Sequence, residues 1–245
     1  MIINLISCPR TISTALMYSF AQRENMQVFD EPFYAVYLKE TGFSHPGKED
    51  ILRSMPHQED VILKNILSNH VSGTDLFIKN MASHFLVLSP ERFETFQTVF
   101  LIRNPLRIIT SYCKVIEEPT AQDVGVERQA ELFRYYHEHS EEAPIVIDSN
   151  DILDRPGHHL QSLCHALHLE FDPGMLHWPA GPKHYDGIWA PYWYKHVHSS
   201  TRFERQPSSQ DPLPERLRPL YERSLEAYEF LYKHSITNPD YATEI

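Results

Sequence analysis

Near the amino terminus the chain reads Cys8-Pro9-Arg10-Thr11-Ile12-Ser13-Thr14, one fixed cation followed by three hydroxyls. Set between a strand and a helix, such a segment makes an anion site. The first N–H groups of a helix are unpaired and aligned with its dipole, so they can hold a dianion. Arg10 adds charge, and Thr11, Ser13 and Thr14 add donors; the same residues also fit a plain helix cap at Ser13. In FLIRNPLRIITSY a second apolar run ends at Ile102, Arg103 stands at its edge, Pro105 opens a helix and Ser111 lies two turns in. Two arginines at strand ends suit an anion with more than one charged group, although Arg103 could equally pair with a core carboxylate. Between them lie Asp30-Glu31-Pro32 and Lys79 with His84 five residues on. A carboxylate or imidazole within reach of a bound hydroxyl is a general base, and Asp30-Glu31-Pro32 also reads as a helix start.

The first loop excludes two chemistries. A Walker loop needs G-x-x-x-x-G-K-[ST], and no glycine or lysine occurs between Ser7 and Ala15, which argues against a Mg-ATP site. A cysteine phosphatase loop, C-x5-R, would need arginine where Thr14 stands, so Cys8 reads as a small packed residue. The histidine pairs His137/His139, His158/His159 and His196/His198 form no H-E-x-x-H and lack a cysteine pair, so no metal is expected.

The elements that must position these residues alternate. Ile2 to Ser7, Gln27 to Phe29, Leu76 to Lys79, Thr98 to Ile102 and Pro144 to Ile147 read as strands apolar on both faces. Helical spacing links Leu106, Ile109, Cys113 and Ile116, then Leu160, Leu163 and Leu167, then Leu217, Leu220, Ser224, Tyr228 and Leu231. This pattern predicts a three-layer α/β/α fold with a central, mainly parallel sheet, in which ligands bind at the carboxyl ends of the strands. Residues 1–245 read as one domain, with a long insertion around 176–214 over one edge of the sheet and a C-terminal helix over 214–234. Within the insertion Trp178, Trp189, Tyr192, Trp193 and Tyr194 either line a pocket or anchor the loop, and Lys183 and Arg202 could close over a phosphate.

The whole-chain balance narrows the partners. Of 245 residues, 22 are Lys or Arg and 33 are Asp or Glu, a net charge of −11. That disfavours nucleic acid, anionic membranes and long polyanions, which need a basic track. It leaves room for a small anion held by a few focused cations. Three separated cysteines suit a reducing compartment. The start, MIINLIS, lacks the basic leader of a signal peptide, so a cytoplasmic location is the expectation; oligomeric state, including a homo-oligomer, is left open.

Taken together, these motifs resemble the sulfotransferases that use 3′-phosphoadenosine 5′-phosphosulfate (PAPS), and most closely a prokaryotic and plant-type branch. CPRTISTALM looks like their 5′-phosphosulfate loop, with Ile12 where the commoner form has glycine, and FLIRNPLRIITSY is similar to their 3′-phosphate element. FDEPFY and FIKNMASH resemble the segments that carry a catalytic glutamate and a lysine with a nearby histidine, although Lys79 and His84 stand farther apart than in the animal enzymes. The resemblance implies a P-loop NTPase-like fold and metal-independent, in-line transfer of a sulfuryl group from PAPS to a hydroxyl or amine of a small-molecule acceptor. It implies cofactor contacts at Arg10, Thr11, Ile12, Ser13, Thr14, Arg103, Ser111 and Arg202, with Glu31, Lys79, His84 and Arg10 catalytic. The competing readings are a P-loop small-molecule kinase and a non-catalytic nucleotide- or partner-binding protein.

Overall fold

Strand β1 (Ile2–Ser7) is nearly all buried, and its side chains divide by the strand period: Ile3 and Leu5 enter one apolar cluster and Ile6 the other. The same alternation holds in β3 (Asp75–Met81) and β4 (Gln97–Ile102), where Phe77, Val99 and Leu101 face one side and Leu76, Ile78, Phe100 and Ile102 the other. Strands with two apolar faces require a helical layer on each. The computed structural model describes residues 1–71, 73–113, 116, 118–205 and 213–238. Among them, β2 (Met26–Asp30) and β5 (Ile145–Asp148) complete a five-stranded, all-parallel sheet in the order β2-β3-β1-β4-β5. Each predicted strand is present, β1 with the predicted bounds and the others longer or shifted by one or two residues.

Helix α1 (Ser13–Phe20) packs on one face of the sheet. Three helices precede β3: α2 (Tyr34–Thr41), α3 (Lys48–Ser54) and α4 (Glu59–Ser68). Between β4 and β5 come α5 (Pro105–Tyr112), α6 (Ala121–Val124) and α7 (Val126–His139). After β5 run α8 (Ser149–Asp154), α9 (Pro156–Ala166), the short turns α10 (Ala190–Trp193) and α11 (Lys195–His198), and α12 (Arg218–Lys233). Helices α8 and α9 share the α1 face, whereas α4, α5, α7 and α12 cover the other. The predicted C-terminal helix is therefore α12, preceded by a 3-10 turn at Glu215–Leu217.

The chain leaves β1 over one face of the sheet toward β2 and leaves its neighbour β4 over the other face toward β5, which opens a crevice between their carboxyl ends. Gln129 of α7 fixes that end. Its Nε2 donates to the carbonyls of Ile6 (2.9 Å) and Leu101 (3.1 Å), and its Oε1 accepts from Cys8 Sγ at 3.1 Å. Burial pushes the Cys8 thiol well above its usual pKa, so Cys8 is the packed residue its sequence context implies.

The insertion roofs the carboxyl end of edge strand β2. Trp178 anchors it in the α1-side cluster, edge-on to Tyr18 and Phe203. Trp189, Ala190 and Tyr194 form a third cluster with Tyr34, Tyr37 and Leu38 of α2. Of the predicted 176–214 insertion, residues 206–212 lie outside the described residues.

Candidate active site

A cavity of about 1150 Å³ opens at the carboxyl ends of the strands. The sequence-predicted residues Arg10, Thr11, Ile12, Ser13, Thr14 and Ser111 line it, as do Glu31, Lys79, His84, Arg103 and Arg202. Lys183 does not: its ammonium donates to the Gly181 carbonyl and lies 4.8 Å from the Tyr18 ring centroid, so the expectation that it closes over a phosphate is corrected.

The loop after β1 takes its shape from unusual backbone. Arg10 and Ile12 have φ of 64° and 61°. This is the left-handed region that L-residues other than Gly, Asn and Asp seldom enter. Ile12 thus holds the conformation that a glycine would hold more cheaply. Such turns point successive N–H groups inward as an anion nest. Thr11 supports the turn: its hydroxyl donates to the Cys8 carbonyl at 2.7 Å, which spends its one proton on the loop itself. Arg103, arriving at the end of β4, donates through one terminal nitrogen to the Arg10 carbonyl. The Nε atoms of Arg10 and Arg103 are both buried without a hydrogen-bond partner among the described residues.

On the opposite wall, β2 and β3 deliver a buried charge network. Glu31 takes φ 44°, and its N–H donates to the Lys79 carbonyl at 2.8 Å. Lys79 Nζ donates to Asp30 Oδ1 (2.9 Å), Glu31 Oε1 (2.5 Å) and Tyr194 Oη (3.0 Å). An ammonium has three protons, so all of them are engaged. Burial opposes the charge on Lys79, but the two carboxylates outweigh it and hold its pKa well above the usual value. Burial likewise opposes the charge on Glu31; Lys79 and His84 overcome it and bring the carboxyl down to about 2. For Asp30 burial wins, and its pKa is raised.

His84 is fully buried, with its ring stacked 5.5 Å from that of Tyr34. Its Nδ1 accepts from the Met81 N–H at 3.4 Å, which leaves the Nε2 edge toward Glu31 Oε2 at 3.5 Å. That separation is too long for a full hydrogen bond. Arg202, at the rim and largely exposed, pairs with Glu204 at 2.7 Å.

The insertion completes the site. Tyr194 Oη donates to the Asp30 carboxylate (2.8 and 2.7 Å) and accepts from Trp189 Nε1 at 3.2 Å. The Gly187 N–H reaches Asp30 Oδ2 at 2.9 Å. A Cβ on Gly187 would stand 2.1 Å from the Trp189 ring, so no larger residue fits that approach. Of the five aromatics singled out, Trp189, Trp193 and Tyr194 line the cavity, Trp178 anchors the insertion and Tyr192 is 55% exposed. Sequence reasoning missed Tyr34, Tyr37 and Tyr112, which form much of the remaining wall. The one signal for them was a tyrosine pair three apart on the helix after Asp30-Glu31-Pro32.

Comparisons with known proteins agree with this geometry. A family model described as "Sulfotransferase domain" matches residues 1–232. Two Arabidopsis thaliana proteins, named "Branched-chain-amino-acid aminotransferase-like protein" 1 and 2, are 37% and 35% identical over 236 residues, 95% of this chain. The match covers 42% of each, so the chain spans under half the length of these relatives. Among solved structures, the sulfotransferase domain of the Synechococcus PCC 7002 olefin synthase superposes with TM-score 0.62 at 16% identity, covering 93% of this chain and 94% of that one. The sulfotransferase domain from the curacin biosynthetic pathway gives 0.58 at 16%, covering 91% and 95%. By its sequence match over nearly the whole length, with the fold in agreement, the chain belongs to the sulfotransferase-domain family.

Proposed function

We propose that the protein transfers a sulfuryl group from PAPS to a hydroxyl or amine of a small molecule. The observation that carries this reading is the meeting, across one cavity, of an anion nest bearing Arg10 and Arg103 with a buried, ionised Glu31. The residues fit the cosubstrate. Two guanidinium Nε atoms buried without partners are unusual in a folded protein and are explained by an absent anion. The nest N–H groups, Arg10, Ser13 and Thr14 would hold the 5′-phosphosulfate, with Arg103 and Ser111 toward the 3′-phosphate and Arg202 at the rim. When bound, PAPS supplies an activated sulfuryl group whose transfer develops less charge than phosphoryl transfer does, so fixed donors and a few cations suffice.

The chain's own part is to hold the acceptor and take its proton. Glu31 is the proposed base: it faces the cavity and stays ionised at any working pH. A carboxylate this acidic takes the proton only as the acceptor oxygen gives up electron density, so proton transfer accompanies bond formation and does not precede it. His84 steadies the free Glu31 oxygen. Lys79 keeps Glu31 charged, and it can donate to an incoming anion only by releasing one of its three acceptors. Calorimetry with adenosine 3′,5′-bisphosphate beside Mg-ATP tests the reading. Binding of the bisphosphate, lost in Arg103→Ala and kept in Glu31→Gln, together with sulfate transfer lost in Glu31→Gln, is the expected result. No affinity of the native protein for the bisphosphate would sink it.

A further inference from the structure

We propose that the acceptor carries a positive charge: a small alcohol, phenol or amine bearing an ammonium group, seated against Tyr37, Tyr112 and Asp123 with its nucleophile toward Glu31. This deepens the sulfuryl-transfer reading and rests on it.

The charges lining the cavity are unevenly spread. Arg10, Arg103 and Arg107 crowd the loop end, where burial lowers the pKa of Arg103, Asp148 partly opposes the shift, and the other two guanidiniums add to it. At the other end Lys79 is taken up by Asp30 and Glu31, and Asp123 is set among tyrosine rings, of which Tyr112 also feels Arg10. Trp193 lies nearly parallel to Tyr112, with centroids 6.5 Å apart and an interplanar angle of 16°. Asp123 is felt by Tyr37, Tyr112 and His45: behind burial, it is the next cause that raises both phenols, Tyr37 to about 12. The carboxylate lines the cavity together with these rings.

Asp123 is fixed from its own helix start. Its Oδ2 accepts from Thr120 N (2.8 Å) and Thr120 Oγ1 (2.7 Å), a capping box at the start of α6. Among the described residues no cation is ion-paired with it. Lys48, whose charge His45 feels, donates to the Gly42 carbonyl at 2.6 Å and does not line the cavity. His45 bonds Tyr34 Oη at 2.6 Å, and burial lowers its pKa, so it is neutral at pH 7. Glu31 differs, since Lys79 matches its charge.

A bound acceptor that covers Asp123 must replace its water. A neutral molecule would leave that charge desolvated and an anion would be repelled. An ammonium group is attracted both by the carboxylate and by the negative faces of the tyrosine rings. Beside Glu31, the fully buried Nε2 of His84 has no hydrogen-bond partner among the described residues; with Nδ1 accepting from Met81, it is a donor left to meet the oxygen or nitrogen of the acceptor's nucleophile.

Calorimetric titration of the whole chain with tyramine, 4-ethylphenol and 3-(4-hydroxyphenyl)propionate at neutral pH, with and without adenosine 3′,5′-bisphosphate, tests the proposal. Tyramine is expected to bind about tenfold more tightly than 4-ethylphenol, a ratio equivalent to roughly 1.4 kcal/mol, and the anionic phenol least tightly. Asp123→Asn, which keeps an oxygen for the Thr120 cap, collapses the tyramine advantage, and Asp123→Glu restores part of it. Thermal denaturation verifies that both variants fold. Equal or tighter binding of 4-ethylphenol or of the anion, no tyramine binding at millimolar concentration, or an undiminished preference in Asp123→Asn overturns it. Failure of the bisphosphate to bind strikes the sulfuryl-transfer reading instead, while the ranking of the three phenols without nucleotide still decides the charge of the acceptor.

Discussion

Lys79 Nζ lies 2.5 Å from Glu31 Oε1 and 2.9 Å from Asp30 Oδ1, so one ammonium serves two carboxylates from consecutive residues. Neighbours along an extended strand point to opposite faces; the left-handed turn at Glu31 is what brings both side chains to one cation.

Removing that cation strands two buried charges. Lys79→Met should therefore destabilise the fold by about 3–5 kcal/mol, the scale for breaking a buried pair, as read from urea unfolding. The triple variant Lys79→Met, Asp30→Asn, Glu31→Gln removes the charges together and should recover most of that loss. If the single variant is as stable as the native protein, the network is not the buried one described. The pH dependence of Glu31 has a definite sign. Its folded pKa of about 2 lies below the ordinary 4.5, so its contribution is present above about 4.5 and is lost as pH falls through about 2.

Ile12 supplies the second prediction. Its φ of 61° lies in the left-handed region. Proline cannot reach that backbone space, because its ring fixes φ at about −65°. Ile12→Pro should abolish binding of adenosine 3′,5′-bisphosphate, whereas Ile12→Gly, which adopts the turn freely, should retain it within a few fold. Calorimetry on both variants checks this, and proline tolerated with full affinity would show that the loop does not hold the nucleotide.

The two arginines and the strand ends could be read from the sequence because each depends on local pattern, whereas the strand order around β1 could not. Apolar runs mark the strands, and the carboxyl end of each run marks the crevice. What stayed hidden depends on partners far apart in the chain. Lys79 stands 115 residues from Tyr194, so its complete engagement by Asp30, Glu31 and Tyr194 has no local signature. Thr11 reads as a ligand donor and is spent on Cys8, a contact that only the actual loop conformation reveals. Lys183 failed for a related reason, since composition places a lysine on the insertion but not on the side facing the cavity. Asp123 was missed because its capping-box role accounts for it fully until the tyrosines around it are seen.

Tyr194 ties the insertion to the sheet, and its hydroxyl is the knot. Tyr194→Phe deletes the bonds to Asp30, Lys79 and Trp189. It leaves Asp30 under-satisfied, a loss of about 1–3 kcal/mol. The insertion then opens more often, and cleavage that follows the open population rises with it, about tenfold for each ~1.4 kcal/mol. Limited trypsin digestion should cut faster at Lys183 and Lys195 in the variant. An unchanged cleavage rate would mean that Trp178 and Asp186, which accepts from the Tyr18 hydroxyl at 2.6 Å, hold the segment without Tyr194.

Asp148 carries the last prediction. At the end of β5 it caps α8, with Oδ1 accepting from the Asn150 N–H at 2.6 Å and Oδ2 from the Tyr228 hydroxyl at 3.0 Å. Burial, only partly countered by those bonds, raises its pKa from 3.8 to about 6. The folded state then holds this proton more tightly than the unfolded chain does. Its contribution to stability is full below about 4 and is lost as pH rises through about 6. Asp148→Asn keeps an oxygen for the Asn150 N–H and turns its amide toward the Tyr228 oxygen, which can accept. It should stabilise the protein by about 1–3 kcal/mol at neutral pH, with the gain shrinking to nothing near pH 4. Unfolding curves for both proteins across that range decide the point. A variant that keeps the native decline in stability between pH 4 and 6 would assign that decline to another group, and a variant less stable at neutral pH would mean that the ionised carboxylate is needed to hold the start of α8 and the Tyr228 hydroxyl.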